Sequence, residues 1–201
     1  MPPKILLFDI GGVLVNWDGN APLIELTGGR LTPEQARKFW LESPWVRQFE
    51  RGLCSPSSFA LGVVQELQLE LSPDDFLKYF IAWDKGPLPG AIDLLRELVP
   101  KFALACLSNN NELHWRKLRQ HPGFLDQFRF QFVSHQIHKV KPDPEVFEYV
   151  LARLPASPPE ILFLDDNREC IEAAQKFKLP AYQIGGVAEV RNLLQELNLL
   201  G

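Results

Sequence analysis

The residues best suited to chemistry fall in four short polar segments spread along 201 residues. These are Asp9 ahead of Gly11-Gly12, the pair Ser108-Asn109, Lys141 within Val140-Lys141-Pro142-Asp143-Pro144, and Asp165-Asp166-Asn167. A carboxylate such as Asp9 can attack as a nucleophile, and a hydroxyl with an amide (Ser108, Asn109) can hold anionic oxygens. Lys141 can neutralise negative charge, with the prolines around it stiffening its approach and Asp143 placed to cap the next helix. If Asp9, Asp165 and Asp166 converge they repel one another, and only a cation makes the cluster tolerable. Oxygen-only donors suit a hard ion such as Mg²⁺. Together the set can handle a phosphate group.

Three of these segments follow short apolar runs of the kind that form buried parallel strands: Ile5 to Phe8 before Asp9, Phe102 to Leu107 before Ser108, and Ile161 to Leu164 before Asp165. Helical patterns alternate with them: Ala91 to Val99, Glu112 to Gln120, Glu145 to Leu154, Glu169 to Phe177, and a closing amphipathic helix near Val187 to Leu197. Weaker strands at Phe130 to Val133 and Ala181 to Ile184 bring the sheet to about five strands. This alternation predicts an α/β fold, a doubly wound parallel sheet. Ligands of such sheets bind outside the carboxyl strand ends, where the four segments would meet.

Residues 16 to 88 break the pattern. No buried strand is evident there, and three helix starts share one chemistry: Thr32-Pro33, Ser55-Pro56 and Ser72-Pro73. In each, a hydroxyl caps while proline takes the first helical position, and Gln35 completes a capping box with Thr32. A helical block leaving the first strand of a parallel sheet must sit over its carboxyl edge. The predicted division is therefore a Rossmann-like core of residues 1–15 and 89–201 with a small inserted helical cap, residues 16–88. Asp84 to Gly90 has the composition of a loop or hinge.

Composition narrows the partners. A formal net charge of -4 provides no basic field for a nucleic acid. The apolar run at the N-terminus is too short for a signal peptide or membrane span, and three scattered cysteines suit a reducing, cytoplasmic setting better than a disulfide framework. A small phosphorylated molecule is the expected partner.

Each segment alone has an ordinary explanation: Asp9 stabilising a turn, Asp165-Asp166-Asn167 a polar loop and helix cap, Lys141 a solvated side chain, Ser108-Asn109 a turn. Their shared place at strand ends lowers those readings. The histidines lack metal-ligand spacing and read as surface or packing residues, with His114, soon after Ser108-Asn109, the one placed to face the site. Trp17, Trp40, Trp45 and Trp83 read first as packing of the helical block, with Trp17 the candidate for a pocket wall. Glu50-Arg51 reads first as an exposed pair of the helical block, with substrate contact the second reading.

In order and spacing, Phe8-Asp9-Ile10-Gly11-Gly12-Val13-Leu14, Leu107-Ser108-Asn109, Val140-Lys141-Pro142-Asp143 and Phe163-Leu164-Asp165-Asp166-Asn167 resemble the haloacid dehalogenase superfamily over essentially the whole chain. Phe49-Glu50-Arg51-Gly52 and Leu107-Ser108-Asn109-Asn110-Asn111 resemble its small helical-cap sugar-phosphate phosphatases of the α-D-glucose-1-phosphate phosphatase type. The resemblance implies a Mg²⁺-dependent phosphomonoester hydrolase in which Asp9 attacks phosphorus, Ser108 and Asn109 hold the phosphoryl group and Lys141 neutralises it. It also implies Mg²⁺ on Asp9, the Gly11 carbonyl and Asp166, with Asp165 assisting. The sequence departs from the superfamily pattern at Gly11, where most of its phosphatases carry a second aspartate that protonates the leaving group. Asn16, Asp18, a metal-bound water or a cap residue are the candidates to replace it. The departure also leaves two other readings open: a 2-haloacid dehalogenase type, whose leaving halide needs no proton, and a non-catalytic phosphate-ligand or protein-binding domain.

Overall fold

The computed structural model describes residues 2–200. The chain runs β1 (Ile5–Phe8), β2 (Val15–Trp17), α1 (Asn20–Leu26), α2 (Pro33–Glu42), α3 (Pro44–Glu50), α4 (Pro56–Glu66), α5 (Pro73–Trp83), β3 (Asp84–Pro87), α6 (Ala91–Leu98), β4 (Ala103–Ser108), α7 (Glu112–Leu118), β5 (Phe130–Val133), α8 (Ser134–Ile137), α9 (Pro144–Leu151), β6 (Ile161–Asp165), α10 (Arg168–Lys176), β7 (Ala181–Gln183) and α11 (Gly186–Glu196).

Five strands form one sheet in the order β5-β4-β1-β6-β7, and every neighbouring pair is parallel. Alternation along the strands divides the core into two layers. Leu6, Phe8, Leu104, Cys106, Leu162 and Leu164 pack with α6, α7 and α11 on one face. Ile5, Leu7, Ala105, Leu107, Ile161 and Phe163 pack with α9 and α10 on the other. Both faces are covered, which is why these strands read as continuous apolar runs. The doubly wound α/β fold expected from the sequence is the fold observed.

The helices between β2 and β3 close on a separate apolar cluster that includes Phe49, Phe59, Phe76, Phe80 and Trp83. Phe49 stacks on Phe59 with centroids 4.4 Å apart. The hydroxyls of Thr32, Ser55 and Ser72 cap α2, α4 and α5 as expected, each followed by proline, and Gln35 completes the capping box. Three expectations are corrected. Asp84–Pro87 is a strand, not a loop, pairing antiparallel with Val15–Trp17; its partner lies about seventy residues away, so no local pattern marks it. Two further helices, α1 and α3, precede α4. Asp143 stands at the N-cap of α9 but its side chain makes no capping bond. It accepts instead from Arg47 (2.7 Å) and Arg51 (2.5 Å) of the helical segment.

No helix among the described residues is long and apolar enough to cross a membrane. The three cysteines are unpaired, with Cys106 and Cys170 buried.

Candidate active site

The central position of β1 between β4 and β6 puts three strand ends side by side. Phe8 is level with Cys106 and with Leu164, so Asp9 emerges beside the ends of β4 and β6. Its own N–H donates to the Leu164 carbonyl at 2.8 Å, carrying the sheet ladder one residue past the strand. The chain then turns back: Leu14 and Val15 both donate to the Ile10 carbonyl. Gly12 holds φ at +73°, a conformation side chains resist, and a Cβ there would lie 2.8 Å from Asp166 Cγ and closer still to Oδ2. The glycine lets the nucleophile-candidate loop and the Asp166 carboxyl share one spot.

Asp9, Gly11, Ser108, Asn109, Lys141, Asp165 and Asp166 all line one cavity of about 780 Å³ between the strand ends and the helical segment. Lys141 Nζ lies 2.7 Å from Asp9 Oδ1 and 2.6 Å from Asp165 Oδ2, and all three side chains are at least nearly buried. Asp165 also accepts the Asn167 N–H at 2.8 Å through its other oxygen, so both of its oxygens are engaged. Asn109 spends its side-chain amide on the Lys141 backbone, donating to the carbonyl at 2.9 Å and accepting the N–H at 2.8 Å. It fixes the lysine, and its side chain is committed to that task. Ser108 is almost wholly buried at the end of β4.

One carboxyl oxygen from each of Asp9, Asp165 and Asp166 lies within 4.8 Å of the others. Three carboxylates against one ammonium leave the ionised cluster two negative charges in excess. Burial pushes Asp9 well above the usual carboxylate range; Lys141 pulls it down, while Asp165 and Asp166 push it further up. Burial also lifts Asp166 to about 6, with Asp165 adding to the effect and Lys141 opposing it. For Lys141 burial works downward, but Asp165 and Asp9 outweigh it and hold the ammonium charged. Burial is the largest cause of both carboxyl shifts, and the mutual repulsion of the carboxylates adds to it. An oxygen-rich donor set with that excess of negative charge fits a hard divalent cation, with Asp9 and Asp166 supplying the oxygens that Lys141 and Asn167 do not hold.

The remaining candidates sort plainly. His114 is buried with its ring 4.3 Å from that of Phe80; Nε2 bonds the Phe80 carbonyl and Nδ1 meets the Asn111 amide. As expected of the one histidine placed to face the site, it borders the cavity, but burial lowers its pKa and both ring nitrogens are taken up by the protein, so it serves as a packing residue of the wall. Trp17 lines the cavity, edge-on to Trp40 at 5.6 Å. Asp18 borders the cavity but its carboxylate accepts the Asn20 N–H at 2.9 Å, and Asn16 is exposed outside the cavity. The expectation that Glu50-Arg51 is an exposed pair is overturned: Glu50 lines the cavity and Arg51 is ion-paired to Asp143. Arg47 was not anticipated at all. The available signal was Ser43-Pro44, a fourth hydroxyl-proline helix start, which puts Arg47 one turn ahead of Glu50 and Arg51 at the end of α3.

Comparison with known proteins adds to this geometry. A family model described as haloacid dehalogenase-like hydrolase matches residues 3–178, from the start of β1 to just past α10. The chain is 29% identical over 176 residues to a sesquiterpene phosphatase of Aspergillus oryzae, covering 86% of this chain and 85% of that protein. It is 24% identical over 208 residues to a D-ribitol-5-phosphate phosphatase of Bacteroides thetaiotaomicron, covering 98% of each. Among solved structures, a HAD family enzyme from Bacteroides thetaiotaomicron in complex with magnesium and inorganic phosphate superposes with a TM-score of 0.73 at 28% identity, over 90% of this chain and 93% of that one. The four motifs, the strand-end carboxylate cluster and a family match over most of the length agree: this chain belongs to the haloacid dehalogenase-like hydrolases.

Proposed function

We propose that this chain is a Mg²⁺-dependent phosphomonoester hydrolase that acts on a small phosphorylated metabolite, a sugar phosphate by preference, through an aspartyl-phosphate on Asp9. The observation that carries the reading is the charge imbalance at the strand ends, where Asp9, Asp165 and Asp166 share a single ammonium, Lys141. A dianionic phosphate would be repelled from that cluster unless a cation joined it. Relatives named as phosphatases, and a neighbour in complex with magnesium and phosphate, support the same choice.

In this reading Asp9, the Gly11 carbonyl and Asp166 hold Mg²⁺, and Asp165 orients Lys141 from behind. Bound Mg²⁺ supplies positive charge to the phosphoryl oxygens and to the carboxylates around them. Asp9 attacks phosphorus from the end of β1. Ser108 presents its hydroxyl to a phosphoryl oxygen, and Asn109 contributes its backbone N–H, since its side chain is occupied with Lys141. Lys141 neutralises a further oxygen and, together with the cation, favours the ionised form of Asp9 that attacks. Residues 16–88 act as a cap over residues 1–15 and 89–201, with Trp17 and Trp40 forming an apolar wall against which a sugar ring can stack. The unpaired thiols suit a reducing compartment, and we place the protein in the cytoplasm.

Gly11 favours one other reading, a domain that binds a phosphorylated ligand without turning it over. A panel of phosphomonoesters assayed with Mg²⁺ and with EDTA separates the two. Mg²⁺-dependent multiple turnover on sugar phosphates is the expected result. Binding of phosphate or beryllofluoride with no turnover on any ester would overturn the hydrolase, and 2-haloacid hydrolysis persisting in EDTA would replace it with a dehalogenase.

A further inference from the structure

Gly11 leaves the proposed reaction without its customary proton donor, yet an alkoxide leaves phosphorus slowly unless it is protonated. The acids on the cavity wall outside the carboxylate cluster are mostly committed. Asp18 accepts N–H groups of Asn20 and Ala21, Asp84 accepts the Gly86 N–H at 2.7 Å, and Glu169 pairs with Arg37 at 2.7 Å. Glu50 is different. It lies on the same cavity as Asp9 and Lys141, and among the described residues it is close enough to feel Lys141 and Arg47 yet hydrogen-bonded to neither.

Its position is fixed from both sides. Phe49 stacks on Phe59 in the apolar cluster of the helical segment, and Arg47 and Arg51 both clamp Asp143. Behind them Gly52, at φ +65°, abuts the backbone of His135: a Cβ there would lie 3.2 Å from its carbonyl carbon and closer to the oxygen. His138 Nδ1 meets the Arg51 carbonyl at 2.7 Å. The last turn of α3 is thus tied to the core on each side of Glu50, while the Glu50 carboxyl itself is left free to face the cavity.

Resting on the phosphomonoesterase reading above, we propose that Glu50 is the general acid–base of the reaction, supplying from the helical segment the proton that an aspartate at position 11 would give. As Asp9 forms its bond to phosphorus and the bond to the ester oxygen breaks, the Glu50 carboxyl hands its proton to the departing alkoxide, which leaves as an alcohol. The Glu50 carboxylate then takes a proton from the water that attacks phosphorus. The bond from phosphorus to Asp9 breaks, inorganic phosphate forms, and Asp9 and protonated Glu50 are restored. Burial lifts the Glu50 carboxyl to about 7, against the pull of Lys141 and Arg47, so both forms are available near neutrality. The charged groups around it are those two cations, the Arg51–Asp143 pair behind it, and Asp9, Asp165 and Asp166 across the cavity. A neutral carboxyl also spares the incoming phosphate a further repulsion.

The test compares Glu50→Gln with wild type on an alkyl sugar phosphate and on an aryl phosphate whose leaving phenolate needs no proton. Turnover of the alkyl ester should fall by about 10² to 10⁴. The aryl ester should keep its rapid first burst of phenolate and lose only the later, water-dependent turnover. The alkaline limb of the wild-type kcat/KM profile, set near the Glu50 pKa, should disappear in the variant. Gly11→Asp, placed where nothing lies within 4 Å of a new Cβ, should restore alkyl turnover to Glu50→Gln. An unchanged ratio of alkyl to aryl rates in Glu50→Gln overturns the assignment of Glu50 while leaving the hydrolase reading intact. A wild-type protein that hydrolyses no phosphomonoester overturns both.

Discussion

Adjacent glycines in the loop after Asp9 should respond very differently to the same small substitution. Gly12→Ala puts a methyl group into the space of the Asp166 carboxyl, 2.8 Å from Cγ and nearer to Oδ2, on a backbone held at φ +73°. The left-handed conformation alone costs an alanine about 1–2 kcal/mol. In a chain of this size that corresponds to a drop in Tm of about 2–8 °C. Because the colliding atoms end a side chain, Asp166 swings aside and the backbone survives, but the proposed Mg²⁺ ligand is moved. Mg²⁺ demands near-octahedral geometry, so its half-saturating concentration should rise by about 10- to 100-fold. Gly11→Ala meets nothing within 4 Å and no unusual φ, and it keeps the carbonyl. Its stability should stay within about 0.5 kcal/mol of wild type. Thermal melts in EDTA together with Mg²⁺ titrations of the initial rate measure both effects. Equal Mg²⁺ dependence in the two variants would refute the placement of Asp166 beside Gly12 as the metal-bearing arrangement.

Mg²⁺ should stabilise the wild-type protein by about 2.7 kcal/mol at a hundred times its Kd. Melts with and without EDTA check this, and Asp166→Asn retaining the full gain would count against the site. Glu50 has a folded-state pKa raised from 4.5 to about 7, so its contribution to stability is complete below 4.5 and lost as pH rises through about 7. Glu50→Gln should therefore gain on wild type between pH 5 and pH 8 in denaturant titrations, and a constant difference across that range would contradict the assignment. Asp143→Ala frees two half-buried guanidinium groups and should cost about 1 kcal/mol after allowance for solvent. In a double-mutant cycle with Arg47→Ala the losses should fall short of additive, and full additivity would show that the pair does not hold α3 to the core.

The sheet was legible because its strands are buried on both faces: Ile5–Phe8 and Ile161–Asp165 are unbroken apolar runs ending in acids. The capped helices were legible because Thr32, Ser55 and Ser72 act on their own first turns. The parts that were missed depend on partners far away in sequence. Asp84–Pro87 becomes a strand only against Val15–Trp17. Asp143 looks like a helix cap until Arg47 and Arg51 draw its carboxylate away. Asn109 is a turn-type residue whose hold on Lys141 spans thirty-two positions. Glu50 is the sharpest case. The Phe49-Glu50-Arg51-Gly52 motif marked the segment, but no local pattern gives the burial of Glu50, which comes from packing α3 over the cavity at the strand ends.

Trapping the covalent step tests the central claim most directly. A single turnover with a phosphate-labelled aryl ester and Mg²⁺, quenched in acid within the burst and digested, should place one phosphoryl group on the peptide carrying Asp9. Asp9→Asn should show neither label nor turnover. Turnover at the wild-type rate by Asp9→Asn, or a wild-type burst that leaves no phosphoryl group on that peptide, would contradict the account.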